Sequence, residues 1–218
     1  MSYSGEQKVG YDGNIVVFSP DGRMYQVEYA REAVKRGSTI AGIKVDAGIV
    51  LVGDKRIGND LIEADTIQKV FRIDSNIYIA TSGLMADGKA IVDLARRMAQ
   101  SNRVTYDEEI QVPVLADMIA AHMQSVTHGG NRPYGVGLII AGKSNKKFHM
   151  FELDPSGTRV GYKAVVVGEK REEMGEILKI EYLPTLDLGE ATGLLVRAFN
   201  QVTGGKMDWD TADYVVIT

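Results

Sequence analysis

The chain has 218 residues, of which 44% are hydrophobic and 25% charged, and it has no cysteine and a net charge of −4 at pH 7. These values exclude disulfides and cysteine-ligated metal, and they give no electrostatic basis for binding nucleic acid or an anionic membrane. Neither a signal peptide nor an apolar run of about 18 residues is present, and the lack of cysteine fits a reducing interior, so we expect a cytoplasmic protein. Because no linker or boundary is visible, we expect one domain over residues 1–218.

The N-terminal part is predicted to be a mobile segment followed by a helix. Residues 1–17 are polar and contain glycine, which favours mobility. Ser19-Pro20 is a helix-start pattern, so we predict a helix over residues 19–36 that stops at Gly37. We expect this helix to make contacts on two sides, because its apolar residues form two stripes: Met24, Val27 and Val34, and Tyr25, Tyr29 and Ala33.

Hydrophobic periodicity predicts the remaining elements. In chain order they are strands 38–44, 48–54, 69–74 and 76–83, helices 84–103 and 113–128, strands 134–142, 147–154 and 162–168, helices 169–182 and 188–203, and strand 212–218. Asp187 and Glu190 have the capping-box spacing at the start of the last helix. This order favours an α+β fold of two antiparallel sheets packed face to face, with a helix pair on each outer side.

Residues 137–144 match the phosphate-loop pattern G-x-x-x-x-G-K-[ST]. A phosphate loop needs flexible backbone followed by a helix, whereas residues 138–141 are Leu-Ile-Ile-Ala, which is typical of a buried strand. The following residues alternate like a second strand. We therefore interpret residues 142–145 as a hairpin turn and predict no nucleotide site.

The histidines and the charged clusters give no further motif. His122, His128 and His149 lack the spacing of a metal site, and the G-x-S-x-G pattern of a hydrolase is absent. The charged residues at 169–181 are interpreted as a solvated helix face. We predict no metal and no cofactor.

Several segments resemble, in order, the α-type subunits of the 20S proteasome, most closely the archaeal form. They are "YDGNIVVFSPDGRMYQVEYAREAVKRGSTIAGIK", "GDKRI", "IQKVFRID", "IYIATSGLMAD", "NRVTYDE", "GGNRPYGVGLIIAG", "ELDPSG" and "YKAVVVG". The resemblance covers about residues 10–203, and the stretch Phe18–Tyr29 is highly specific to the α-type. It implies the four-layer αββα sandwich of the N-terminal-nucleophile hydrolases.

Catalytic β-type subunits share this fold and use an N-terminal threonine, whose free amine serves as the base. The resemblance places Ser38, Asp54 and Lys69 at the matching nucleophile, acid and lysine positions. Because Ser38 follows Gly37 in a continuous chain, its nitrogen is an amide and we expect no catalytic residue. Two alternatives stay open: a self-processing hydrolase that uses Ser38 or Thr39, and a ring-forming paralogue without a protease partner.

The resemblance implies a non-catalytic subunit of a heptameric ring. This ring templates β-ring assembly, gates the entry of unfolded polypeptides and docks the C-terminal tails of an AAA+ ATPase regulator. The implied partners are other α subunits, β subunits, the regulator and the substrates, without nucleic acid or membrane.

The resemblance also assigns individual residues. They are Tyr11, Asp12, Gly13, Pro20 and Tyr29 at the gate, Lys69, Gly22, Glu28 and Leu84 at the tail-docking pocket, and His128, Gly129 and Gly130 at the pore constriction. The chain departs from the family pattern in three places. Gly13 replaces an arginine, His128 replaces a tyrosine, and the usual C-terminal strand and helix are missing after Thr218.

Overall fold

The computed structural model describes residues 17–59, 61–205 and 212–218. Its elements are α1 (Tyr25–Lys35), β1 (Ile40–Val45), β2 (Gly48–Asp54), β3 (Val70–Asp74), β4 (Ile77–Gly83), α2 (Met85–Tyr106), α3 (Val112–His128), β5 (Val136–Ser144), β6 (Lys147–Leu153), β7 (Arg159–Gly161), β8 (Ala164–Val167), α4 (Arg171–Glu181), α5 (Leu188–Thr203) and β9 (Ala212–Ile217). Within the described residues, none of the helices is both long and apolar enough to cross a bilayer.

The types of the predicted elements are confirmed, and two short elements were not predicted. These are β7 and a single 3-10 turn, Ala64–Thr66, between β2 and β3. The predicted capping box of α5 is also confirmed, since the Glu190 nitrogen donates to Asp187 at 2.8 Å and the Asp187 nitrogen donates to Glu190 at 2.9 Å.

The strands form two antiparallel sheets, as predicted. One sheet has the order β8-β1-β2-β9 and the other the order β3-β4-β5-β6-β7. Every described strand pair is antiparallel. Most strands pair with the next strand along the chain through a tight hairpin. The strands and their turns could therefore be predicted from short stretches of sequence.

The core has three apolar layers, which fit the predicted αββα sandwich. Ile40 of β1 packs between the sheets with Ile139 and Met150, whereas Ala41 and Ile43 face α4 and α5 on the outer side. A third cluster lies between the five-stranded sheet and the pair α2 and α3. Alternate residues of one strand therefore serve different layers, as the pleat of a strand requires.

The start of α1 differs from the prediction. The helix begins at Tyr25 with Met24 as its N-cap, and Pro20 lies in a preceding turn. Ser19 closes that turn, because its hydroxyl accepts from the Arg23 nitrogen at 3.1 Å. Gly22 has a φ of 74°, which cannot continue a right-handed helix. The prediction of a helix from residue 19 was therefore wrong.

The segment with the phosphate-loop pattern is a strand, as interpreted. All its residues belong to β5, and the chain turns at Asn145 and Lys146, two residues later than the predicted turn centre. Both residues have positive φ values, 52° and 62°, which is the geometry of a two-residue type I′ hairpin.

A largely buried carboxylate fastens α2 to the chain leading into β5. Asp87 accepts from the two terminal guanidinium nitrogens of Arg132, at 2.7 and 2.8 Å, and from the Gly135 backbone nitrogen at 2.8 Å. The Arg132 guanidinium holds the pKa of Asp87 below its usual value, and the Gly135 amide acts in the same direction. The ion pair therefore stabilises the fold above the ordinary aspartate pKa, and this contribution is lost as pH falls through the lower folded-state pKa.

We expect Asp87→Asn to lower the free energy of unfolding by about 1–3 kcal/mol at neutral pH, because the charge-assisted bonds are lost. The matched control is Asp93→Asn on the same helix, whose pair with Lys89 is exposed to solvent, so its loss should change the stability little. Urea unfolding at one protein concentration measures both. Equal losses for the two variants, or a loss at Asp87 that does not shrink in acid, would contradict this assignment.

Candidate functional site

Asp54 and Lys69 lie together with the start of β1 at one end of the sandwich. The Asp54 nitrogen donates to the Thr39 carbonyl at 2.9 Å, so the end of β2 is joined to the residue after Ser38. Lys69 lies directly over Gly53, where a Cβ atom on the glycine would come within 2.6 Å of the lysine Cβ. The structure therefore brings together the three positions that the resemblance matched to an active site.

The chain enters this end through a closely packed glycine. A Cβ atom on Gly37 would overlap the Gly83 nitrogen and lie 2.6 Å from the Ser82 hydroxyl. The Gly37 carbonyl accepts from the Glu169 nitrogen at 3.0 Å, and the Ser38 carbonyl accepts from the Ser82 hydroxyl at 2.8 Å. The nitrogen of Ser38 is thus a peptide amide inside a fixed segment and has no basic lone pair for nucleophilic catalysis.

Thr39 is also unsuited to act as a nucleophile. Its side chain is buried, and its hydroxyl accepts from the Lys170 backbone nitrogen at 3.1 Å. The hydroxyl therefore helps to hold the start of α4, and the Thr39 nitrogen, like that of Ser38, is a peptide amide that cannot serve as the base.

Lys69 is a buried ammonium group, with 4% of the residue exposed. Burial lowers its pKa to about 8, because desolvation disfavours the charged form. Asp54 and Asp213 oppose this shift through their negative charges, whereas Arg56 adds to it. Lys69 therefore changes its charge near pH 8, well below the range of an exposed lysine.

Asp213 is a site residue that the sequence analysis missed. Its carboxylate accepts from the backbone nitrogens of Lys69 at 2.8 Å and Val70 at 2.9 Å. It lies on β9, 144 residues from Lys69 along the chain. No local pattern could have identified it, because the contact exists only after β9 has joined β2.

A second unpredicted contact lies at the same end of the sandwich. Arg56 forms an ion pair with Glu169, and its backbone nitrogen donates to Asp54 at 2.7 Å. Glu169 was predicted on a helix, but it lies in the turn before α4, where its backbone nitrogen donates to the Gly37 carbonyl. The connection after β2 is therefore tied to the segment that leads from α1 into β1.

Two of the predicted gate residues, Pro20 and Tyr29, lie in the described part of the chain, the first in the turn before α1 and the second within α1. Pro20 is in the exposed turn, and Tyr29 is half exposed and stacks on Tyr25 with ring centroids 6.4 Å apart. The predicted gate residues Tyr11, Asp12 and Gly13 lie outside the described residues.

The residues predicted for tail docking are not joined within one chain. Gly22 is in the turn before α1, Glu28 pairs with Arg23, and Leu84 is the exposed N-cap of α2. Among the contacts of the described residues, neither a hydrogen bond nor an ion pair links Lys69 to these three. The common docking pocket therefore stays a prediction.

The predicted pore residues are exposed at the end of α3. His128 is the last helical residue, and the Gly129 nitrogen donates to the Ser125 carbonyl at 2.8 Å. Gly130 has a φ of 81°, so the chain turns sharply after the helix.

Comparison with known proteins gives a consistent result. The family model for proteasome subunits matches residues 34–217, and the model for the N-terminal signature of the A-type proteasome subunits matches residues 11–33. The chain is 48% identical over 213 residues to the proteasome alpha subunit of Methanoregula boonei, covering 97% of this chain and 89% of that protein. Over 212 residues it is 48% identical to that of Methanosarcina thermophila and 47% to that of Methanothermobacter thermautotrophicus, covering 97% of this chain and 86% of each relative.

The packing at Gly37 predicts a large effect of a single methyl group. We expect Gly37→Ala to lower the free energy of unfolding by about 1–3 kcal/mol or more, because backbone atoms of Gly83 would have to move. The control Gly58→Ala adds its methyl in open space and should stay within about 0.5 kcal/mol of the wild type. Urea unfolding measures the difference, and a neutral Gly37→Ala would show that this crossing is loosely packed.

Proposed function

This chain belongs to the α-type subunits of the proteasome, and we propose that seven copies of it form the outer ring of the 20S core particle. It is a non-catalytic subunit, and the observation that carries this conclusion is the unbroken passage of α1 through Gly37 into β1. The peptide bond that blocks the Ser38 nitrogen removes the base that threonine-type catalysis requires. We place the peptidase chemistry in the β-type partner, whose assembly the ring templates.

In the proposed ring, the segment before α1 gates the entry of unfolded polypeptides. Pro20 has a fixed φ and lies in a turn closed by Ser19, so the turn can transmit a shift of α1 to the residues before it. Tyr29 presents an exposed ring for a contact across the turn or with a neighbour. The exposed segment His128–Gly130 forms the constriction through which the polypeptide passes, because glycine leaves the backbone uncovered.

Lys69 is proposed to bind the terminal carboxylate of an ATPase tail. A lysine provides a flexible point charge, and its partly desolvated setting strengthens the attraction to an anion. Gly22 and Glu28 of the neighbouring copy complete the pocket beside Leu84. The charged form of Lys69 predominates only below pH 8, so docking is expected to depend on pH in that range.

The first test separates a ring subunit from an enzyme. We expect the purified chain to form a ring without peptidase activity, and to support peptide hydrolysis only after an archaeal β-type subunit is added. Ser38→Ala should leave that activity unchanged. Turnover by the chain alone that disappears in Ser38→Ala would contradict the proposal and favour a self-processing hydrolase. In native mass spectrometry, a ring that never takes up β subunits would favour a paralogue without a protease partner.

The second test concerns Lys69. We expect Lys69→Ala to reduce ATPase-stimulated protein degradation at least about tenfold, the effect of about 1.4 kcal/mol in binding, with the ring still present in native mass spectrometry. Lys146→Ala, in the hairpin at the other end of the sheet, should leave stimulation unchanged. If Lys69→Ala keeps full stimulation, the docking assignment is wrong.

The same site predicts a pH dependence. The ratio of stimulated to unstimulated hydrolysis should fall as pH rises through about 8, because Lys69 loses its charge there. Above this pH the affinity for the tail should fall up to about tenfold per pH unit until the bound-state pKa is reached. Lys69→Arg keeps its charge and should show a flatter profile. Parallel profiles for the two proteins would contradict a role for Lys69 ionisation.

A further inference from the structure

A cavity of about 310 Å³ lies at the end of the five-stranded sheet opposite Lys69. Its walls are the β3–β4 hairpin, the connection between α2 and α3, and the β5–β6 hairpin. The two hairpins are fixed to each other, because the Lys143 nitrogen donates to the Asn76 carbonyl at 3.1 Å. The start of α3 is joined to the same wall, since the Val112 nitrogen donates to the Ser144 hydroxyl at 3.4 Å. The cavity is therefore formed before any ligand binds, as small-molecule sites usually are.

An incomplete hydrogen-bond network lies beside this cavity. Asp74 ends β3 and lines the cavity, and its side chain is 7% exposed. Its Oδ1 atom accepts from the Ser75 nitrogen and from Arg103, both at 2.8 Å. Within the described residues, no donor reaches the buried Oδ2 atom of Asp74, and no acceptor reaches the buried Nε atom of Arg103. Buried polar atoms without a partner indicate a place for a water or a ligand.

The charges around Asp74 favour an organic ammonium group as the missing donor. Glu108 and Glu109 line the same cavity, and Arg103 is shared between Asp74 and Glu109, which accepts from it at 3.1 Å. This side therefore has more negative than positive charge. Within the described residues, no group of three or more histidine, cysteine or acidic side chains is arranged to hold a metal ion. A small rotation about the soft terminal torsion of Asp74 turns its covered Oδ2 atom toward such a ligand.

A cationic group lines another part of the cavity. The Lys143 ammonium group lies over the ring of Phe148, 5.0 Å from its centroid, and this contact leaves N–H donors available. Because β4 separates β3 from β5, the backbones at Asp74 and Lys143 are about 10 Å apart, twice the spacing between strands. A ligand that reaches both groups carries an ammonium and a carboxylate at about this separation. A chain of three residues, at about 3.3–3.6 Å per residue, spans it.

We propose that this cavity binds a short peptide by its two charged ends, with the ammonium group at Asp74 and the carboxylate at Lys143. The side chains of Asn76 and Gln111 also line the cavity and provide partners for the peptide groups in between. This site lies outside the proposed ring function and does not depend on it, because it involves neither the gate nor Lys69. Peptides released by proteolysis belong to this class of ligand.

The first test uses three probes that differ only at their ends: triglycine, N-acetyl-triglycine and triglycine amide. Saturation-transfer NMR with the full chain at neutral pH should show saturable binding of triglycine, with a Kd on the order of 1 mM because so small a ligand makes few contacts. Acetylation removes the ammonium group and should weaken binding at least about tenfold, since a buried carboxylate loses its partner. Amidation removes the carboxylate and should weaken it about threefold, because Lys143 is less buried.

The second test uses variants of the two charged groups. Lys143→Met keeps an apolar stem over Phe148 and should make triglycine and its amide bind equally. The matched control is Lys163→Met, an exposed lysine between β7 and β8 outside this cavity, and it should leave all affinities unchanged. Asp74→Asn keeps an oxygen for the Ser75 nitrogen and should weaken triglycine at least about tenfold without changing the binding of the acetylated probe. Circular dichroism checks that each variant is folded.

Each result decides for or against the peptide site. If triglycine does not saturate, or binds no better than its acetylated form, the site is overturned and water completes the network. If the amide binds as tightly as triglycine, the cavity takes a cation alone and the peptide assignment is wrong. Should Asp74→Asn unfold, the acetylated probe and Lys143→Met decide, because neither alters the Asp74 ion pair. A failure of the proposed ring would instead appear in native mass spectrometry and leave these titrations unaffected.

Discussion

The passage of the chain through Gly37 is the constraint on which the rest of this end of the molecule depends. Only a glycine allows α1 to turn into β1 against the backbone of Gly83, because any Cβ atom would overlap the end of β4. The carbonyls on either side of the Ser38 nitrogen are bound by Glu169 and Ser82, so the segment is fixed in place. A helix thus occupies the space that a free N-terminal nucleophile would need.

The charged groups around Lys69 lie at the same end of the sandwich. With the nucleophile position blocked, Lys69 has no catalytic partner, and it lies buried between the charges of Asp54, Asp213 and Arg56. Desolvation has the largest effect on the pKa of Lys69, so the ammonium group loses its charge near pH 8. A carboxylate that entered this site would favour the protonated form of Lys69. This is the physical basis for proposing that Lys69, at a position matched to a catalytic lysine, binds an anion.

The two sides of α1 lie in different surroundings. Val27 and Val34 bury one side and therefore fix the helix to its own sandwich, whereas Tyr29 leaves apolar surface in water. In the proposed function, the gate and the tail pocket both depend on where this helix is placed.

Local sequence specified the order and type of the elements, since periodicity and turn residues are local properties. It identified residues 137–144 as a strand despite their phosphate-loop pattern, and it predicted the capping box at Asp187. It also showed that the Ser38 nitrogen is an amide. It placed the start of α1 wrongly, because the left-handed φ of Gly22 outweighed the helix-start signal of Ser19 and Pro20. The burial and lowered pKa of Lys69, the role of Asp213 and the closure by Arg56 and Glu169 became visible only in the folded chain. These features depend on contacts between residues far apart in the chain, which local patterns do not specify.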